Sequence, residues 1–95
     1  MATEQVLESD AIIWPGEFLV EELEARGMSQ RELAAKMDRP QQAINEIIRG
    51  KKALTAQTAV ELERALGIPA YLWLRMEARY RLALARRRLR EPTPV

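Results

Sequence analysis

The chain of 95 residues carries a net charge of +1 and contains neither cysteine nor histidine. This length fits one domain, and the two missing residue types exclude a disulfide framework, a thiolate metal site and a histidine general base. With no paired-acid motif and no phosphate-binding glycine loop, we expect no enzyme activity, no metal and no cofactor. The acidic N-terminus lacks the order of a signal peptide, and no apolar run approaches the ~20 residues of a membrane span. We therefore expect a cytoplasmic protein that does not enter a membrane.

The near-neutral total hides a segregation of charge along the chain. Residues 1–25 contain seven acids and no base, whereas residues 26–55 and residues 56–95 each carry a net charge of +4. A polyanion is therefore repelled by the head of the chain and attracted to the rest of it.

The N-terminal region is predicted to be an arm followed by a helix. Residues 1–13 have weak periodicity and several acids, which predicts a flexible acidic arm. The first helix is predicted from about Pro15 to Arg26, because proline suits the first turn of a helix. Gly27 then supplies the left-handed residue at which helices commonly stop.

The second helix has the sharpest start signal in the chain. Ser29 and Glu32 have the spacing of a capping box, and Met28 and Leu33 have the spacing of a hydrophobic staple. With Ser29 as the N-cap, Leu33 and Met37 are predicted to face the core.

Three further helices are predicted from the same kinds of start and stop signals. The third is predicted between Pro40 and Gly50, the fourth from its N-cap Thr55 to Leu66, and the fifth over about Ala70–Leu89. We therefore predict an all-α fold of five helices with an extended C-terminal helix.

The domain organisation follows from these elements. Residues 14–90 are predicted to form one compact unit, and residues 91–95 a frayed tail. The second and third helices are short and close in sequence, so a tight corner joins them. This is the helix-turn-helix pattern, in which the second member lies in the major groove of DNA.

The third helix separates polar from apolar side chains. On a wheel at about 100° per residue, Gln41, Gln42, Asn45 and Arg49 share one arc, and the isoleucines lie opposite. Glutamine and asparagine match the edge of adenine, and arginine matches the edge of guanine. A merely solvated helix back is the alternative, although glutamate and lysine are more usual there. The arc therefore predicts base readout.

The residues around the third helix extend this prediction. Gln30 is the first residue of the second helix, where side chain and backbone N–H can both meet a phosphate. Lys51 and Lys52 follow the third helix directly, and Arg39 precedes it. Ordinary turn charges are the alternative for the two lysines. The predicted DNA-contact residues are Gln30, Arg39, Gln41, Gln42, Asn45, Arg49, Lys51 and Lys52.

The basic stretch from Tyr80 to Arg90 has three interpretations. It can be an amphipathic helix for a membrane surface, a second phosphate-binding element, or a solvated helix end whose arginines favour the negative end of the dipole. Trp73 is interpreted as a core or dimer-interface residue, and Trp14 as a packing anchor for the arm.

Three stretches together resemble the HigA-type antitoxins: WPGEFLVEELEARGMSQRELAAKM, INEIIRGKKALT and TAVELERALGIPAYLWLRMEARY. These are small helix-turn-helix proteins of the XRE class, related to the phage repressors. The resemblance runs from about Trp14 to Tyr80 and includes all three glycine stops. It implies a lambda-repressor-like fold and a homodimer that binds an inverted repeat of double-stranded operator DNA in its own promoter. It also implies neutralisation of a HigB-like toxin, a small ribosome-dependent messenger-RNA endonuclease.

The resemblance also assigns residues by position. It places DNA reading at Gln30, Gln41, Gln42 and Asn45, and a basic edge at Arg49, Lys51 and Lys52. Two positions depart from the family pattern: Trp14 stands where histidine is frequent, and Asp38 is an acid where the turn usually has a small residue.

Three alternatives concern the partners. The acidic head either binds a basic toxin or merely keeps the protein soluble. A stand-alone XRE regulator without a toxin is the alternative function. An adaptor whose third helix docks another protein is a further one.

Overall fold

The structure, a computed structural model, describes residues 13–89. Nearly all of the predicted acidic arm and the whole of the predicted tail lie outside the described residues. The described part contains five helices and no strand: α1 (Pro15–Arg26), α2 (Gln30–Met37), α3 (Gln41–Ile48), α4 (Ala56–Leu66) and α5 (Ala70–Leu89). The predicted all-α fold and its five helices are confirmed. None of these helices is long and apolar enough to cross a membrane, within the residues described.

The helix starts predicted from polar caps are present. Ser29 Oγ accepts a hydrogen bond from the backbone N–H of Glu32 at 3.0 Å, and Glu32 Oε1 accepts one from the backbone N–H of Ser29 at 2.8 Å. The latter bond is the main reason that the pKa of the Glu32 carboxyl is lowered. Thr55 Oγ1 accepts from the backbone N–H of Thr58 at 3.2 Å. Each cap satisfies an N–H group that the helix itself leaves without an acceptor.

The core draws one large, fully buried side chain from each helix. Burying such a side chain is worth about 1.5–3 kcal/mol, so every helix contributes to holding the others. Trp73 belongs to the core, because its indole Nε1 donates to Ile68 O at 3.2 Å and its ring meets Phe18 edge-on at 5.3 Å. The five side chains are Leu19, Leu33, Ile44, Leu62 and Trp73.

The corner between α2 and α3 is built around Asp38. Its φ is +54°, and it is the only residue other than glycine with positive φ among residues 13–89. The backbone N–H of Asp38 donates to Ala35 O at 3.2 Å, and that of Arg39 donates to Ala34 O at 2.9 Å. These two bonds form a Schellman motif, in which glycine usually holds the left-handed position. The acid at this position is therefore compatible with a tight helix-turn-helix corner.

We expect Asp38→Gly to raise the free energy of unfolding by about 0.5–1 kcal/mol. Glycine adopts the left-handed conformation without the strain that a side chain adds, although its extra freedom when unfolded offsets part of the gain. Chemical denaturation of the two proteins measures the difference. Asp38→Asn is the control, since it removes the same charge and keeps a side chain at this position. Equal stability of the glycine and asparagine variants would contradict this account of the corner.

Candidate nucleic-acid interface

The two faces of α3 have opposite environments. Ile44 is fully buried, and Ile47 and Ile48 pack against the core. Gln41 and Gln42 on the opposite arc are exposed. The amphipathic division predicted from the sequence is therefore present, and it turns the flat amide groups outward.

Two other predicted residues lie on α3 and at the start of α2. Asn45 lies one turn after Gln41 and is half-buried. Gln30 is the first residue of α2, directly after the N-cap Ser29, and is also half-buried. Because α2 packs against α3, the start of α2 and the polar arc of α3 belong to one helix-turn-helix unit.

Arg39, in the turn between α2 and α3, is bound by a carboxylate of α4. Its Nε lies 2.9 Å from Glu61 Oε1, and its Nη2 donates to Glu61 Oε2 at 3.1 Å. Gln57 Nε2 also donates to Glu61 Oε2, at 3.1 Å. The bonds from Arg39 first and Gln57 second hold the pKa of the Glu61 carboxyl below its ordinary value. The pair with Arg39 is therefore complete near neutral pH and is lost as the pH falls through that lowered pKa.

A second acid meets a second predicted basic residue. Lys52 Nζ lies 3.3 Å from Glu46 Oε1. Exposed pairs of this kind contribute at most about 1 kcal/mol, so Lys52 is held less firmly than Arg39, which has two contacts with its carboxylate. Arg49 and Lys51 are exposed and have no ion pair within residues 13–89. The unpaired positive charge at α3 therefore lies beyond its C-terminal end.

The C-terminal end of α3 is joined to α1 through Trp14 and Gly16. The indole Nε1 of Trp14 donates to Ile48 O at 3.0 Å, and its ring lies 6.0 Å from that of Tyr80. A Cβ atom on Gly16 would lie 2.3 Å from Ile48 O, so α1 and the end of α3 are too close for any side chain at this position. Trp14 is therefore a packing residue at the beginning of α1. Nearly all of the arm that it was predicted to anchor lies outside the described residues.

Three residues with a role at this site were missing from the site predicted from the sequence. The acids Glu46 and Glu61 were not predicted to neutralise Lys52 and Arg39, and Arg81 on α5 was not connected to α3. Arg81 Nη2 donates to the carbonyls of Gly50 and Lys52. The sequence offered one indication for Glu46, because this acid directly follows Asn45 on the helix that carries the predicted site. The other two contacts join residues that are more than 20 positions apart and had no signal.

Comparisons with known proteins agree with this geometry. Residues 19–73 match the model of the helix-turn-helix family HTH_3. Virulence-associated protein I of Dichelobacter nodosus is 42% identical over 74 residues, which is 77% of this chain and 68% of that protein.

Two solved structures extend the likeness to the whole fold. An addiction module antidote protein of the HigA family from Coxiella burnetii is 31% identical, with a TM-score of 0.75 over 88% of this chain and 98% of that one. The Pseudomonas aeruginosa antitoxin HigA, solved with the higBA promoter, is 27% identical, with a TM-score of 0.75 over 90% and 99%. These matches confirm the resemblance drawn from the sequence: the chain belongs to the XRE-type helix-turn-helix family HTH_3, and its structural neighbours are HigA-type antidote proteins.

Proposed function

We propose that this protein is the antitoxin of a HigBA-type toxin–antitoxin module and represses its own promoter by binding operator DNA. The observation that carries the proposal is the outward arc of α3, where Gln41 and Gln42 are exposed while Ile44 is fully buried. A helix held in this way presents amide groups to a DNA groove without disturbing the core. The HigA relative solved with its promoter supports the same use of the fold.

The contacts divide into base reading and phosphate binding. Gln41, Gln42 and Asn45 read base edges from the major groove, where an amide can bond the N6 and N7 atoms of adenine. Arg49 and Lys51, which have no ion pair among the described residues, bind the phosphates beyond the end of α3. Gln30 binds a phosphate at the start of α2. Arg39 and Lys52 join only as they exchange their carboxylate partners for phosphates.

A homodimer fits the exposed surface of α5. Tyr71, Leu82 and Leu89 are large apolar side chains exposed to 70%, 52% and 69%. Their spacing places them along one stripe of the helix, as in helices that pair with another helix. A two-fold dimer would hold two copies of α3 about one DNA turn, ~34 Å, apart and would read an inverted repeat.

Two parts of the chain have different partners. Residues 14–90 bind DNA and pair with the second copy. The acidic head, residues 1–25 with seven acids and no base, binds a basic ribonuclease toxin, because its carboxylates complement the charge of the toxin.

Binding to the DNA upstream of the protein's own gene tests the regulatory half of the proposal. A gel shift with that DNA is expected to give a specific complex that weakens as salt rises. Unrelated DNA of the same length is the control. Equal affinity for both would show that the upstream DNA contains no operator for this protein. No salt-dependent binding to either DNA would favour an adaptor.

Co-expression with the neighbouring reading frame tests the antitoxin half. A small basic partner is expected to co-purify with the full chain and to lose its ribonuclease activity in the complex. Operator binding without any such partner would instead identify a stand-alone XRE regulator, the second candidate.

Lys51→Ala should weaken binding to every DNA sequence alike. Loss of one phosphate contact lowers the slope of log affinity against log salt by about 1. Fluorescence titrations at several salt concentrations measure the slope. Lys36→Ala is the control, because Lys36 is exposed in the last turn of α2 and is not among the predicted contacts. An unchanged slope for Lys51→Ala would show that Lys51 does not bind a phosphate.

A further inference from the structure

Arg49 and Lys51, which have no ion pair among residues 13–89, lie in the turn that follows α3. Gly50 has φ +68°. Its N–H donates to Ile47 O at 3.1 Å, and the N–H of Lys51 donates to Glu46 O at 3.1 Å. These bonds tie the N–H groups of the turn to α3. They leave the carbonyl groups on either side of Lys51 in need of donors from elsewhere.

Arg81 of α5 supplies those donors. Its Nη2 donates to Gly50 O at 3.2 Å and to Lys52 O at 3.1 Å, so one guanidinium group bridges the residues on both sides of Lys51. Arg81 lies 31 positions after Gly50 and 29 positions after Lys52 in the sequence. The long helix therefore holds the turn from outside the helix-turn-helix unit.

Glu77 orients this guanidinium group. Its Oε2 accepts from Arg81 Nε at 2.6 Å, and its side chain is only 11% exposed against 35% for Arg81. A short charge-assisted bond to a nearly buried carboxylate fixes the planar fork in one direction. With its Nε on Glu77 and its Nη2 on two carbonyls, Arg81 is already engaged within the protein.

We propose that Arg81, oriented by Glu77, is a positioning residue for DNA binding. It orders the turn from Gly50 to Lys52 before DNA arrives, so that Lys51 meets its phosphate without a loss of backbone freedom at that moment. This inference rests on the proposed function, because positioning matters only if the turn binds DNA. It also gives the basic stretch on α5 a use other than direct phosphate contact or membrane binding.

The size of the effect follows from chain entropy. Fixing the backbone of one residue costs about 1–2 kcal/mol, which corresponds to about 5- to 30-fold in affinity. If Arg81 removes that cost in the free protein, its loss transfers the cost to the binding step. Operator and random DNA are then weakened alike, because the turn contacts phosphates and not bases.

Arg81→Gln is the first test, with Arg86→Gln as the matched control. Arg86 lies on α5, is exposed, and has no hydrogen bond or ion pair in the described part of the chain. We expect Arg81→Gln to weaken binding by about 5- to 30-fold while the salt slope stays that of the wild type. A slope lowered by about 1 would make Arg81 a phosphate ligand and overturn the proposal. Equal effects of the two variants would show that Arg81 acts only through its positive charge, and this result would overturn the proposal as well.

Glu77→Gln separates positioning from charge by the sign of its effect. The variant makes the chain more positive, so electrostatic attraction alone predicts tighter DNA binding. Loosening of Arg81 predicts weaker binding. Glu21→Gln, an exposed change of the same charge on α1, is expected to bind slightly more tightly or not to change. Tighter binding by folded Glu77→Gln would contradict the proposal.

Amide hydrogen exchange in the free protein distinguishes failure of this inference from failure of the proposed function. The N–H groups of Gly50 and Lys51 should exchange about 5- to 30-fold faster in Arg81→Gln, while those of Leu62 and Trp73 in the core stay protected. Arg81→Lys, which keeps the charge but loses the planar fork, should restore little of the protection. Unchanged exchange at the turn would overturn positioning. If the exchange rose as expected but the wild type bound no DNA, the proposed function would be the part that failed, and positioning for DNA would fall with it.

Discussion

Replacing Gly16 with alanine is expected to lower the free energy of unfolding by about 3 kcal/mol, at the upper end of what overpacking usually costs. The added Cβ would lie 2.3 Å from Ile48 O and 2.5 Å from Ile47 O. Both atoms belong to the backbone, so no side chain can rotate away to make room. Relief therefore requires α1 to move from the end of α3, which also disturbs the hydrogen bond from Trp14 Nε1 to Ile48 O.

Thermal unfolding measures this effect, with Gly27→Ala as the control. In a domain of this size, about 3 kcal/mol corresponds to a melting temperature lower by roughly 12–24 °C. Gly27 has φ +63° but open space around it, so alanine there has only the conformational cost of the left-handed region, about 1–2 kcal/mol. If Gly16→Ala were no more harmful than Gly27→Ala, the close approach of α1 to α3 would be wrong.

Asn45→Ala is expected to lower affinity for the operator by about 1–3 kcal/mol and to relax specificity at one base position. Asn45 lies one turn after the exposed Gln41 on α3 and is half-buried. The proposed readout needs a flat group with one donor and one acceptor, and alanine offers neither. Binding to random DNA should change little, because phosphate contacts supply that affinity.

Parallel titrations with operator and random DNA at one salt concentration measure this specificity. Alanine is the better helix former of the two residues, so a loss of operator binding cannot be assigned to a weaker α3. Urea unfolding of the variant serves as the control for stability. A variant that loses random and operator binding equally would contradict base readout by Asn45.

Charge at the proposed interface is less uniform than the sequence predicts. The four basic residues around α3 suggest an even positive rim, but Arg39 is bound by Glu61 and Lys52 by Glu46. The first pair links the turn between α2 and α3 to α4 and lowers the pKa of the Glu61 carboxyl, whereas the second is an exposed contact. We therefore expect the positive charge that first meets DNA to come from Arg49 and Lys51.

The sequence by itself determined the helices and their ends. Glycines, prolines and the capping pair Ser29 and Glu32 act through bonds between residues a few positions apart, so their effect is readable without a fold. The isoleucines of α3 likewise predict their own burial, because a period of 3.6 residues places them on one face. Asp38 marks the limit of this reasoning. Its acid is unusual for the turn, and only the structure shows that it takes the left-handed conformation.

Only the tertiary structure decided which distant groups meet at the ends of α3. Three hydrogen bonds join residues that are far apart in the sequence. Arg39 donates to Glu61 across 22 positions, Trp14 to Ile48 O across 34, and Arg81 to Gly50 O across 31. Two of these three acceptors are backbone carbonyls, which every residue carries and which therefore leave no mark in the amino-acid sequence. The close fit of Gly16 has the same origin, because its neighbour is also a carbonyl. Local interactions thus predicted where α3 begins and which face it turns outward. Contacts that Trp14, Glu61 and Arg81 make at its two ends decided which of the nearby charges have no partner.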